Sequence, residues 1–281
     1  MTGFSADWLS LREPADRAAR DAGLVARVAG FLANRADPTI VDLGAGTGAT
    51  LRALAPRLGP AQTWVLVEAD PALVAAGRAA LAAWGAAEGL AVAEADGGLV
   101  LAGNGRRIAV RWRIADLAAD PLPVAGPVDL VTASALIDLV SADFVRRLAT
   151  AAAARGAAVY SALDVDGADL WTPSHPADAA IAAAFRADQG RDKGFGSALG
   201  PVGHSALAAA LTDAGYDVAA AESPWRLGRG EAGLVAALVE GWAAVAAAHG
   251  VDKAKVAGWL ADRRAAGCVI GHRDLLALPP G

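Results

Sequence analysis

The stretch IVDLGAGTGAT, Ile40 to Thr50, decides the fold class of this chain. A short apolar run that contains one acid is followed by glycines at positions 44, 46 and 48. A turn from strand to helix in which the backbone passes close to a ligand favours glycine, and the amino end of the following helix offers free N–H groups and partial positive charge. The stretch therefore predicts a buried strand, a ligand-binding turn and a helix.

Strand-like and helical segments alternate on both sides of this turn. The predicted strands are TIVDL, TWVLVEAD, the run Ile108 to Ile114, VDLVTASAL, AAVYSAL, DVAAAESPWRL and CVIGHRDLLAL. This alternation predicts the α/β class, with a doubly wound, mostly parallel seven-stranded sheet that has helices on both faces.

The same pattern divides the chain into parts. Residues 1–37 are predicted to be an N-terminal helical segment, with one helix over 14–34, and residues 38–281 the main domain. The alternation breaks at 164–203 and again at 229–265. We expect these two segments to be helical insertions over the carboxyl edge of the sheet, the first of them forming a substrate lid.

Composition narrows the function classes. The 281 residues are 55% hydrophobic and 20% charged, which is not a disordered composition, and the net charge of −5 with no basic cluster argues against a nucleic-acid partner. No signal pattern and no run of about 20 apolar residues is present, so we expect a cytoplasmic protein without a membrane partner. The single cysteine and the scattered histidines predict no metal site. The oligomeric state stays open.

Two ligand classes fit the glycine turn, beside a purely structural turn. GAGTGA matches the G-x-G-x-x-A variant of the dinucleotide fingerprint, and Glu68, twenty residues after Gly48, can bind a ribose in either class. Asp42 and Asp116 separate the classes. A carboxylate at Asp42, expected at the mouth of the site, would repel a pyrophosphate but suit an ammonium or sulfonium, and Asp116 can accept from an adenine amino group.

These residues give the sequence a resemblance to the class I S-adenosylmethionine-dependent methyltransferases, which have a Rossmann-like fold. VDLGAGTGAT resembles their first motif, VLVEAD their second-strand acid, IADL their adenine-contacting turn and VDLVTASALIDLV their fourth-strand segment. The resemblance covers residues 38–163, with 268–278 as the expected last strand.

The resemblance implies S-adenosylmethionine as the cofactor. The glycine turn would pass under its methionine part, Glu68 would hold the ribose, Asp116 and Leu117 would frame adenine, and Arg20 would pair with the methionine carboxylate unless it is only a solvated helix residue. The cofactor-binding residues predicted on this basis are Asp42, Gly44, Ala45, Gly46, Gly48, Glu68, Ala69, Asp116, Leu117, Ser134 and Arg20.

Methyl transfer requires in-line alignment, exclusion of water and, for an unactivated nucleophile, a base. Asp138 follows the fourth strand and His175 lies in the first insertion, so both are predicted as catalytic residues at the acceptor. The alternatives are that Asp138 is a helix-start acid and that His175 caps the helix opened by Pro176.

Four further residues are predicted to contact the substrate: Tyr160, Asp178, Lys193 and Phe195. Tyr160 could instead be core, Asp178 a surface residue, and the glycine-rich segment 189–200, which holds the other two, a plain connector rather than a lid. The predicted function is methylation of a small molecule on oxygen or nitrogen. A non-catalytic methyltransferase-like binding scaffold and an NAD-dependent oxidoreductase are the alternatives.

Overall fold

The computed structural model describes residues 4–263 and 267–281. Within them the chain forms ten strands and nine α-helices. The strands are β1 Thr39–Leu43, β2 Ala61–Glu68, β3 Ala91–Ala95, β4 Gly98–Gly103, β5 Arg106–Ile114, β6 Leu130–Ser134, β7 Ala158–Thr172, β8 Asp217–Glu222, β9 Trp225–Leu227 and β10 Gly267–Leu278. The helices are α1 Ala6–Ala19, α2 Ala22–Leu32, α3 Ala49–Leu54, α4 Pro71–Ala87, α5 Ala142–Ala153, α6 Asp178–Gln189, α7 Gly203–Asp213, α8 Ala232–Ala248 and α9 Lys253–Arg263.

All ten strands join one sheet in the order β3-β4-β5-β2-β1-β6-β7-β10-β8, and β9 pairs with β10. The five central strands from β5 to β7 are parallel, whereas β10 runs antiparallel to β7, β8 and β9. The predicted α/β class is therefore confirmed, and the sheet is mixed, with a parallel centre and antiparallel strands at both edges. The parallel strands bring the ends of β1, β2, β5 and β6 to one edge.

The predicted number of seven strands is wrong for two local reasons. Asp96 and Gly97, both with positive φ, form a tight turn that adds the antiparallel hairpin β3–β4 to the edge beyond β5. The predicted strand DVAAAESPWRL is interrupted between β8 and β9 at Ser223 and Pro224, because proline has no backbone N–H for the ladder.

Helices cover both faces of the sheet, each with its own apolar core. On one face, α2, α3 and α4 bury Val28, Leu51 and Leu81 against the sheet. On the other, α5 and α7 bury Phe144 and Leu207. At about 25 cal/mol per Å² of apolar surface, these two layers supply the main stabilisation of the sheet.

The N-terminal segment contains two helices where one, over 14–34, was predicted. The chain leaves helical geometry at Arg20, and the Asp21 side chain then accepts a hydrogen bond from the Leu24 backbone N–H to begin α2. Residues 1–3 of the predicted segment 1–37 lie outside the described residues. The break turns α1 away from the sheet core and towards its carboxyl edge.

The first predicted insertion, 164–203, does not begin where the strand was expected to end. β7 continues to Thr172 and pairs with β10 from Gly267 onwards, so both strands extend as a ribbon beyond the end of β6. On this ribbon α6, α8 and α9 bury Trp171, Trp242 and Trp259 in a third apolar core. We call this part of the molecule the cap.

The second predicted insertion, 229–265, contains α8 and α9, and its residues 264 and 265 lie outside the described ones. The helical stretch Arg229–Ala248 has the length and hydropathy of a membrane-crossing helix, with a mean hydropathy of 1.4. Its residues Leu234, Val239 and Trp242 are buried in the cap core. The same apolar residues thus serve tertiary packing in this structure.

Candidate functional site

The glycine turn between β1 and α3 has the conformation that its sequence predicts. Gly44, Gly46 and Gly48 have φ values of 62°, 53° and 83°, which residues with a Cβ rarely adopt. A Cβ on Gly46 would lie 2.8 Å from Leu9 of α1. The turn therefore needs glycine for its backbone angles, and the Leu9 side chain of α1 packs directly against it.

A cavity of about 620 Å³ lies over this turn, at the carboxyl edge of the sheet. Its size is within the usual range for a small-molecule site. The predicted site residues that line it are Arg20, Gly44, Ala45, Gly46, Glu68, Ala69, Asp116, Leu117, Ser134 and Phe195. The structure thus brings together predicted site residues from six separate segments of the chain.

Glu68, at the end of β2, organises the turn. Its Oε2 accepts from the Gly46 N–H at 2.8 Å, and its Oε1 accepts from the N–H groups of Ala69 at 2.8 Å and Asp70 at 3.0 Å. A carboxylate has about four acceptor positions, so one remains on Oε2 for a ligand hydroxyl. Asp116, on another wall, uses Oδ1 to accept from the Ala118 N–H at 2.9 Å.

Two groups of opposite charge have buried atoms without hydrogen-bond partners at the cavity, Arg20 in its lining and Asp42 beneath it. Arg20 donates from Nη2 to the Ser134 hydroxyl at 2.9 Å, while its Nε and Nη1 have no partner. Asp42 accepts from the Thr132 hydroxyl at 2.7 Å through Oδ1, while its Oδ2 has none. Because unpaired buried polar groups cost free energy, they indicate a missing ligand with complementary charges.

Asp42 is not at the mouth of the site as predicted, since it is buried under the cavity and does not line it. Burial raises the pKa of Asp42 to about 7, although the Thr132 hydroxyl and the Arg20 charge oppose the shift. Gly48 also lies outside the cavity lining, and its side of the turn faces Leu81 of α4. Both residues therefore lie behind the wall of the cavity and support the residues that line it.

Asp138 lies in a 3-10 turn after β6, between the lining residues Leu136 and Leu139. It does not itself line the cavity. Its carboxylate is buried, its Oδ1 has no partner, and burial raises its pKa to about 6. The neighbouring Asp164 accepts from the Ile137 N–H at 3.0 Å and from the Ser161 hydroxyl, and burial followed by the Asp138 charge raises the pKa of Asp164.

The structure does not place His175 at the cavity. Its Nδ1 accepts from the Ala177 N–H at 3.0 Å, and its Nε2 lies 3.6 Å from Asp262 of α9. The Nδ1 contact is that of a side chain which caps the amino end of a helix. Asp178 accepts from the His175 N–H at 2.7 Å and forms an ion pair with Arg263 at 2.6 Å. The contacts of both residues lie within the cap, and neither residue lines the cavity where the acceptor was predicted to bind.

Tyr160 and Lys193 also fall outside the cavity lining. Tyr160 is fully buried and donates to Asp274 at 2.9 Å, and burial together with the Asp274 charge raises the pKa of its phenol. Lys193 pairs with Asp188 at 2.9 Å. Tyr160 is thus core, the alternative that its position left open, and of the predicted substrate residues only Phe195 reaches the cavity.

Most of the residues with which α1 lines the cavity were not predicted from the sequence. This helix lines the cavity with Phe4 just before its start and with Leu9, Arg12, Asp16 and Arg20. Three of them, Arg12, Asp16 and Arg20, recur every four residues, which is the spacing of one helix face. That periodicity was a usable signal. The other lining residues that were not predicted include Thr47, Thr50, Leu73, Leu136 and Leu139.

No protein-family model and no curated protein matches this sequence. Among solved structures, cyclopropane synthase MmaA2 from Mycobacterium tuberculosis aligns with a TM-score of 0.50 at 12% identity, over 98% of this chain and 94% of that one. A SAM-dependent methyltransferase from Geobacter sulfurreducens, in complex with S-adenosyl-L-homocysteine, aligns with a TM-score of 0.48 at 13% identity, over 100% of both chains.

An O-methyltransferase family protein from Burkholderia thailandensis aligns at a TM-score of 0.49 and 16% identity over 98% of this chain, which spans 58% of that protein's length. At such identities the likeness concerns the fold. The chain therefore shares a Rossmann-like α/β fold with the cyclopropane synthase MmaA2.

Proposed function

We propose that this protein transfers a methyl group from S-adenosylmethionine to a small-molecule acceptor. The observation that carries the proposal is the pair of unsatisfied buried charges beside the glycine turn. The guanidinium of Arg20 can receive a carboxylate, and Oδ2 of Asp42 can receive an ammonium. An α-amino acid end offers both groups, whereas the pyrophosphate of a dinucleotide offers no cation for Asp42.

The remaining lining residues support the nucleoside half. Glu68 has a free acceptor position for a ribose hydroxyl, and Asp116 with Leu117 borders a slot for adenine. When bound, the cofactor supplies a methyl group on a sulfonium, which is already a good leaving group. The chain's own residues then have to align the acceptor and exclude water.

Asp138 supports turnover rather than binding alone. An acceptor hydroxyl or protonated amine has to lose a proton, and a carboxylate with a pKa of about 6 is ionised at neutral pH and close enough to it to accept that proton. Asp138 follows the lining residue Leu136 by two positions and directly precedes the lining residue Leu139, so it lies next to the cavity wall. A cavity of about 620 Å³ that has to accommodate the cofactor leaves room only for a small acceptor.

Isothermal titration calorimetry with S-adenosylhomocysteine tests the cofactor assignment. Glu68→Gln keeps the shape of the side chain, whereas alanine would release three backbone N–H groups. We expect a loss of roughly 10–100-fold in affinity, since a hydrogen bond to a charged group contributes about 1.5–3 kcal/mol.

The matched control is Glu240→Gln, an exposed acid on α8 that makes no side-chain hydrogen bond among the described residues. It should bind as tightly as the wild type. Unchanged affinity in the Glu68 variant, or no binding to the wild type, would contradict the proposed site.

A further inference from the structure

The face of α1 that lines the cavity carries a second guanidinium besides that of Arg20. Arg12, Asp16 and Arg20 are spaced four residues apart, and all three reach the cavity. Arg20 lies beside Ser134 and is committed to the cofactor end in the proposed function. Arg12 lies two turns earlier on the helix, about 12 Å away along its axis, and is not needed there.

Arg12 is held in one orientation from two sides. Its Nε and Nη2 donate to the two carboxylate oxygens of Asp16 at 2.9 and 3.1 Å, and its guanidinium lies over the Trp225 ring at 4.8 Å from the centroid. Asp16 also accepts from the Trp225 indole N–H at 3.0 Å. Because the side chain is already ordered, a ligand that binds it loses little additional entropy.

This arrangement leaves one edge of the guanidinium free. A guanidinium has five N–H groups, and Asp16 takes one from Nε and one from Nη2. Nη1 has no hydrogen-bond partner among residues 4–263 and 267–281, and unlike Nη1 of Arg20 it is not sealed from solvent. The Nη1–Nη2 edge matches the two oxygens of a carboxylate.

The cavity that Arg12 lines has apolar walls formed by Leu9, Leu136, Leu139 and Phe195, and the buried Asp138 carboxylate lies near enough for its charge to interact with that of Arg12. We propose that Arg12 is the specificity residue for the acceptor, and that the acceptor is a small acid with an apolar body whose carboxylate binds the free guanidinium edge. This inference rests on the proposed function and deepens it, because it names the chemical class that shares the cavity with the cofactor.

Ligand-observed NMR on the protein saturated with S-adenosylhomocysteine tests this. The probes are benzoate and phenylacetate, each compared with its amide, which has the same shape but no charge. We expect the wild type to bind each acid at least about tenfold more tightly than its amide, and Arg12→Met to lose that preference while it keeps its affinity for S-adenosylhomocysteine. Arg27 is an exposed residue of α2, and the control variant Arg27→Met should keep both the preference for acids and the affinity for S-adenosylhomocysteine.

Arg12→Lys separates recognition from folding, because lysine can retain the charge next to Asp16 but lacks the planar edge. It should fold as the wild type does and bind the acids only weakly. Equal binding of acids and amides by the wild type, or an acid preference that survives in both Arg12 variants, would overturn the inference. Failure of the wild type to bind S-adenosylhomocysteine would instead remove the proposed function on which the inference rests.

Discussion

At the scale of single residues, the candidate site is marked by polar groups that the fold buries without satisfying. Asp42 Oδ2, Asp138 Oδ1 and two nitrogens of Arg20 lack partners, although most buried polar atoms in proteins have one. All three residues lie in or next to the lining of one cavity. Their desolvation cost is recovered only when a ligand of matching charge binds, so the groups that weaken the empty protein also select its ligand.

Asp42→Asn should stabilise the empty protein and weaken cofactor binding. The folded-state pKa of Asp42, about 7, exceeds the unfolded value of 3.8, so the folded state keeps a proton that the unfolded state loses in this window. Its contribution to stability therefore falls as pH rises from 4 to 7. In urea unfolding we expect the free energy of unfolding of the variant to exceed that of the wild type by on the order of 2–4 kcal/mol at pH 8, and by little at pH 4.

The same variant should lose affinity for S-adenosylhomocysteine, because a neutral amide cannot pair with the ammonium. Calorimetry at pH 7 measures this. A residue with a purely structural role would change stability and leave the affinity alone, and a variant less stable than the wild type at pH 8 would contradict the burial argument.

Asp138→Asn should lower turnover by roughly 10²–10⁴-fold, the usual contribution of a general base. In the wild type, turnover should rise between pH 5 and 7 with an apparent pKa of about 6, which belongs to Asp138 together with Asp164 because the two carboxylates interact. Radioactive methyl transfer to an acceptor found by screening measures both quantities. Asp213→Asn, an exposed acid on α7, is the control. A flat pH profile would assign proton removal elsewhere.

At the scale of secondary-structure elements, local patterns predicted the parts that short-range physics determines. The turn Gly44 to Gly48 and the strand-end acid Glu68 are specified by residues close in sequence, so both could be identified. The β7–β10 ribbon depends on pairing between residues about a hundred positions apart, such as Trp171 and Cys268, which no local pattern records. The placement of His175 in the cap, and not at the cavity, follows from that ribbon.

The segment 189–200 should behave as a lid at this scale. Gly194 and Phe195 line the cavity, and Phe195 packs edge-on against Phe144 at 5.2 Å, while exposed Asp192 accepts from the Gly194 and Gly196 N–H groups. Only Ala198 and Gly200 of the segment are buried, so its amides should exchange quickly in the empty protein and become protected with S-adenosylhomocysteine and acceptor. Hydrogen-exchange mass spectrometry measures this. High protection before ligand is added would indicate a rigid connector.

At the scale of the whole molecule, α1 contacts both the main sheet domain and the cap, the two bodies of structure that β7 and β10 also join. Glu13 of α1 pairs with the buried Arg52 of α3, which joins the helix to the main sheet domain. Asp16 accepts from Trp225 of β9, which joins the same helix to the base of the cap. A ligand that binds between α1 and the glycine turn therefore contacts groups fixed by both bodies, and its binding should stabilise the chain as a whole.

S-adenosylhomocysteine should accordingly raise the melting temperature of the protein, and NAD should not. A ligand present at 100 times its Kd adds about 2.7 kcal/mol to the free energy of unfolding. For a chain of this length that corresponds to roughly 5–10 °C, at 2–4 °C per kcal/mol. Scanning fluorimetry with each ligand measures the shift, and Arg20→Met should reduce the S-adenosylhomocysteine shift because the carboxylate loses its partner. Asp42 and Arg20 together suit an amino acid end and not a pyrophosphate. A larger shift with NAD would therefore contradict the proposed function and favour a dinucleotide enzyme.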